Sequence, residues 1–159
     1  MAGFKEIDRE IRGWMDQFGM SLLRISMGIV FFWFGLLKFF PDLSPAQTLA
    51  QQTIDILTFG LISPALGIKI LATWECAVGI GLLAGKWMRL VLLLLWLQMI
   101  GAMSPIVLLP AEVFVSIPWV PTLEGQYIIK NLVLISAAIV LGSKLGPPSL
   151  NGSSHQRNA

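Results

Sequence analysis

The sequence predicts an all-α fold: an integral membrane four-helix bundle, both termini cytoplasmic, with an N-terminal amphipathic helix. Three observations carry that expectation. The 159 residues are 55% hydrophobic and only 13% charged, about half the charged share of an ordinary soluble domain, and the mean hydropathy is +0.76. Four stretches each approach the ~20 apolar residues that a ~30 Å hydrocarbon layer requires. Lysine and arginine fall in alternate loops, as spans crossing a bilayer demand. A chain this long and this apolar cannot hide its surface within one water-soluble core.

The elements follow in order. In GFKEIDREIRGWMDQFGM, Ile7, Ile11, Trp14 and Phe18 recur at helical spacing among Lys5, Asp8, Arg9, Arg12 and Asp16. Residues 1–19 therefore read as an amphipathic helix, lying on the membrane surface or docked on the protein's own cytoplasmic face. Their charge sets them apart from a cleavable signal peptide. The domain proper covers 20–144, and 145–159 form a polar tail.

The first span, MSLLRISMGIVFFWFGLLKFF, occupies 20–40 and is stopped by Pro41. The second runs to Gly85 from Ser63-Pro64, an N-cap residue followed by proline at the first helical position. The third, 88–109, is expected to bend near Pro105. The fourth, 126–144, ends before Gly146-Pro147-Pro148. Between Pro45 and Gly60, apolar Leu49, Ile56 and Leu57 predict a short interfacial helix. The stretch PAEVFVSIPWVPTLEG, broken by Pro110, Pro118 and Pro121, reads as an irregular outer cap with Trp119 as a headgroup-depth anchor.

Lys5, Arg9 and Arg12 precede the first span, Lys86 and Arg89 fill the second loop, and Lys144 and Arg157 follow the fourth span. The stretches 41–66 and 104–125 contain neither lysine nor arginine. The positive-inside rule then puts both termini in the cytoplasm and the chain in the cell (inner) membrane as a multi-pass protein.

Several chemistries are excluded. Cys76 is the sole cysteine and His155, in the tail, the sole histidine. No internal disulfide, thiolate cluster or bis-histidine haem can form, so no metal site and no intrinsic cofactor is expected. A net charge of +2 without a basic stripe argues against nucleic acid. The bilayer is the expected environment, with a protein partner or homo-oligomer.

Charges inside the spans need an explanation, because each costs at least ~2.5 kcal/mol on insertion scales. Lys69 snorkels from the outer end. Arg24, Gly28, Phe31, Gly35 and Lys38 share one helical face, whose glycines admit a close neighbour. Arg24 then faces the bundle near the cytoplasmic end and reads as a structural charge; the alternative is that Arg24 and Lys38 both snorkel.

Glu75 has no such escape. It lies ~13 Å below the outer boundary counted from Leu66 at ~1.5 Å per residue. No basic residue shares its face, so a partner must come from another helix. Lys130 is the first candidate and Lys38 the second, with Gln98 placed to hydrogen-bond the carboxyl. Two readings stay open: a structural staple, or a ligand or proton site. Ala77, Gly81 and Gly85 form a small-residue stripe for helix packing. Cys76 reads as a small buried hydrophobe rather than a nucleophile. Trp33, Trp74 and Trp96 read as packing residues rather than the wall of a flat ligand's pocket.

RISMGIVFFWFGLLKF, WECAVGIGLLAG and EGQYIIKNLVLISAA together resemble the DoxX-like family of small four-helix membrane proteins. The resemblance covers most of 20–143 and carries over the family's polar positions at Arg24, Gly35, Lys38, Glu75, Gly79, Lys130 and Asn131. It implies a role such as that of relatives that are membrane subunits of thiosulfate:quinone oxidoreductase, although nothing further in the chain points to thiosulfate. On this reading the protein is a subunit of a quinone-linked redox complex. Its candidate ligand-binding residues are Lys38, Glu75, Gln98, Lys130 and Asn131, and it takes a quinone or a small anionic substrate. The alternative is a non-catalytic structural or assembly subunit of a larger membrane complex; a small solute or proton carrier ranks third.

Overall fold

The computed structural model describes residues 2–40, 43–44 and 46–146. Pro41, Pro45, Pro147, Pro148 and the tail holding His155 and Arg157 lie outside them. Four helices are long and apolar enough to cross a membrane, and the chain is an all-α, multi-pass membrane protein.

Helix α1, Ala2–Leu37, runs unbroken through the amphipathic segment and the first span. Nothing in 2–37 interrupts it: there is no proline, and Gly13 and Gly19 cost only about 1 kcal/mol each. The N-terminal segment is thus helical and continuous with the span, and it is not docked on the protein's own face. Ile7, Ile11, Trp14 and Phe18 are all exposed. Residues 2–18 project about 25 Å past the packed part of the bundle, at 1.5 Å per residue.

After α1 comes α2, Gln47–Leu57, the short helix expected from Leu49, Ile56 and Leu57. Helix α3, Pro64–Ala84, begins with Ser63 at the N-cap position and Pro64 at N1, although the Ser63 side chain makes no capping bond. It ends at Gly85, whose left-handed φ of 65° suits glycine. A tight turn leads to α4, Met88–Met103, followed at Pro105 by the single turn α5, Pro105–Leu108. The bend expected near Pro105 is therefore a helix end and restart.

The outer cap is more regular than its prolines suggest. It contains α6, Pro110–Val113, and a small antiparallel hairpin of β1, Phe114–Ser116, with β2, Val120–Pro121. Helix α7, Leu123–Ser143, starts three residues earlier than its hydropathy implies. The reason is a polar cap: Thr122 Oγ1 accepts a hydrogen bond from the Gly125 amide at 3.0 Å, with Glu124 in the favourable first turn.

The spans pack in the ring order α1, α3, α4, α7, and the largest contact is α1 on α3. The main core joins Met27 and Phe31 to Val78, Leu82, Leu95, Met99 and Ala138. Val91, Leu92, Leu95, Gln98 and Met99 form one inward seam of α4 at helical spacing. A second, smaller core of Leu49, Val113 and Ile128 holds the cap on the bundle.

Candidate functional site

The seam between α1 and α3 is built on glycine. A Cβ at Gly79 would come within 2.5 Å of the Phe32 backbone nitrogen, and one at Gly35 within 2.8 Å of the Glu75 Cβ. Gly28 sits against Leu83 and the Gly79 carbonyl. Small residues let backbones approach closely where lipid supplies no hydrophobic drive between helices. The helices run antiparallel, so the stripe Arg24, Gly28, Phe31, Gly35 and Lys38 meets α3 from its end back to its middle.

At one end of the seam lies Arg24. Its guanidinium donates to the Leu82 carbonyl and, at 3.0 Å, to the Leu83 carbonyl. These are last-turn carbonyls of α3 without an intrahelical partner, and a cation there also opposes the negative end of the helix dipole. Arg24 thus caps the C-terminal end of α3.

At the other end, Lys38 Nζ donates to Glu75 Oε2 at 2.6 Å. The same ammonium lies 3.5 Å from the Phe34 carbonyl, in the last turn of α1. Gln98 Nε2, reaching across from α4, donates to Glu75 Oε1 at 2.9 Å. Glu75 is the twelfth of the 21 residues of α3, about 16 Å from the helix start. Glu75 and Gln98 are only 9% and 8% exposed. Burying two charges costs several kcal/mol per ion, and attraction offsets this only when the remaining lone pairs and protons are also bonded. Here one acceptor is left over: Gln98 Oε1 is buried and has no hydrogen-bond partner among the described residues.

The cluster therefore unites three helices through Lys38, Glu75 and Gln98, and the ranking of the two lysines is reversed. Lys130 is exposed, with its ammonium 5.4 Å from the centre of the Tyr127 ring. Its neighbours at plus and minus three, Tyr127 and Val133, are exposed as well, and α7 adjoins α4 more than α3. That face of α7 points away from the bundle. Asn131 is half-buried on the same helix. Among the described residues, the hydrogen bonds to Glu75 come from Lys38 and Gln98 rather than from either of these two. The stripe on the first span held the missed signal, since it already aimed Lys38 inward.

Other readings resolve in part. Lys69 is exposed near the start of α3. Cys76 is half-buried, its Sγ 3.8 Å from the Phe32 carbonyl. Gly81 packs on Val91 of α4, whereas Ala77 is exposed. Trp74 packs between helices and also makes a polar tie: its indole Nε1 donates to the Leu94 carbonyl at 3.1 Å, joining α3 to α4. Trp33 faces outward and is largely exposed. The hydropathy reading did not anticipate a polar cleft of about 620 Å³ at the cap, lined by Gln47, Gln51, Gln52, Glu112 and Glu124 among others. Gln47 and Gln51, four residues apart on one face of a short helix, were its signal.

Fold and site define a four-span membrane protein with a buried ion pair at one end of its largest helix seam. The DoxX family model matches residues 19–109, more than half of the chain, and takes in Lys38, Glu75 and Gln98. The chain belongs to the DoxX family. No curated protein and no solved structure matches it.

Proposed function

We propose that the protein is a membrane subunit of a quinone-linked redox complex, with the Lys38–Glu75–Gln98 cluster as the polar end of a quinone headgroup site. The observation that carries this reading is the spare buried acceptor on Gln98 beside a buried ion pair. A pair serving only to fasten helices gains nothing from an unbonded amide oxygen, which costs roughly 1–3 kcal/mol.

The donor set suits such a headgroup. Lys38 brings an ammonium with three protons, Glu75 a carboxyl, and Gln98 a free acceptor. A quinone, when bound, supplies two-electron chemistry coupled to two protons. Lys38 would orient a headgroup oxygen. Glu75, held between Lys38 and Gln98, is the group able to take up or release a proton at its carboxyl oxygens. Gly79 and Gly35 keep the seam closed around it and exclude water. With one cysteine and one histidine in the chain, the electrons belong to a partner subunit.

The test is direct. Protein purified from native membranes in lipid nanodiscs is extracted and assayed for co-purifying quinone, then titrated with a short-chain benzoquinone. Retention by the native chain and its loss in Glu75→Gln are expected. A native chain that neither retains nor binds quinone ends this reading.

A second reading rests on a different observation. The projecting part of α1 exposes Ile7, Ile11, Trp14, Met15 and Phe18, a surface suited to another subunit. As a non-catalytic assembly subunit, the protein would lose its partner on Ile11→Asp/Trp14→Asp while Glu75→Gln left the complex intact in co-purification.

A further inference from the structure

We infer that the Gln98 side chain makes the site select a headgroup that donates a hydrogen bond, so that it holds the dihydroxy, reduced form of a quinone more tightly than the dicarbonyl form. This rests on the quinone reading above and specifies which redox form the site is built for.

The inference follows from the orientation of one amide. Glu75 accepts at both oxygens, from Lys38 at Oε2 and from Gln98 at Oε1. Ionised against the Lys38 ammonium at 2.6 Å, Glu75 has no proton to give, so in that state the amide facing it presents its NH2 group. Turning the amide over would set oxygen against oxygen at 2.9 Å. The pairing with Glu75 therefore fixes where Oε1 lies, and that atom is buried without a donor among the described residues. What Oε1 lacks is an O–H or N–H within reach, since the hydrogen bonds of the Lys38 ammonium go to Glu75 and the Phe34 carbonyl.

Oxidised and reduced headgroups differ in this respect. A quinone carbonyl only accepts; placed against Gln98 Oε1 it leaves that acceptor unpaired, even where Lys38 donates to the carbonyl. A quinol hydroxyl donates to Oε1 and still accepts from an ammonium such as that of Lys38. One net hydrogen bond to a buried acceptor therefore separates the two forms. The expected preference is about tenfold in dissociation constant, equivalent to about 1.4 kcal/mol.

The experiment compares binding of a short-chain benzoquinone and its benzoquinol, anaerobically, to the full chain in nanodiscs, by calorimetry. The native protein should bind the benzoquinol about tenfold more tightly, and Gln98→Met, which keeps the length of the side chain and removes the acceptor, should bind the two forms alike. Equal affinities in the native chain would overturn the inference and leave the quinone reading standing, as would a preference that survives in Gln98→Met. Binding of neither form removes the quinone reading and this inference with it. Should Gln98→Met fail to fold, the native comparison alone decides.

Discussion

The two ends of the α1–α3 seam carry the same kind of residue to different purposes. Arg24 and Lys38 stand fourteen residues apart on one helical stripe, both basic and both turned toward α3. Arg24 reaches backbone carbonyls at the end of α3, where any chain with this topology leaves acceptors to be covered. Lys38 reaches a side-chain carboxyl halfway along α3, where nothing in helix geometry requires a charge. The first contact completes a helix. The second exists because the sequence placed Glu75 in the membrane, and its cost needs a return other than helix formation.

That contrast can be broken in several ways, and the largest effect belongs to the Lys38 end. Lys38→Met should destabilise the folded protein by about 3–5 kcal/mol, since it strands a buried carboxyl. The double replacement Lys38→Met/Glu75→Leu should recover most of the loss, as read by thermal unfolding in mild detergent. Gly79→Leu should come next, at about 3 kcal/mol, because the new side chain meets the Phe32 backbone, which cannot yield as a side chain would. Failure of Gly79→Leu to alter unfolding would mean that α1 does not lie against α3 there.

At the opposite end the effects shrink. Arg24→Gln should cost about 1–2 kcal/mol, the value of a cation and its hydrogen bonds at a partly buried helix end. Hydrogen exchange should show the loss confined to the last turn of α3. A loss that spread to Glu75 would erase the distinction between the two ends. Smallest of all, Trp74→Phe should cost about 1 kcal/mol for the hydrogen bond to the Leu94 carbonyl, with no change in quinone binding.

The same contrast separates what was legible in the sequence from what was not. Span positions, the helix at 47–57 and the inward stripe from Arg24 to Lys38 were legible because helical period and hydropathy are local properties. The union of Glu75 with Gln98 was legible for a weaker reason, a shared depth on neighbouring spans. The choice of Lys38 over Lys130 was not, because lateral order around the bundle and the rotation of α7 arise from contacts distant in sequence. The unbroken course of α1 was hidden by its change from amphipathic to uniformly apolar, a shift in surroundings that leaves the backbone undisturbed. The start of α7 was obscured by hydropathy but marked by Thr122, a capping residue set before its apolar run.

The measurement closest to the central claim is a double-mutant cycle between Lys38 and Glu75, using Lys38→Met, Glu75→Leu and the pair, with unfolding free energy in lipid nanodiscs as the readout. Residues bonded at 2.6 Å should couple by about 1–3 kcal/mol, the double variant being far less harmful than the sum of the singles. Effects that add to within about 0.5 kcal/mol would contradict the account, since the two charges would then not meet inside the membrane.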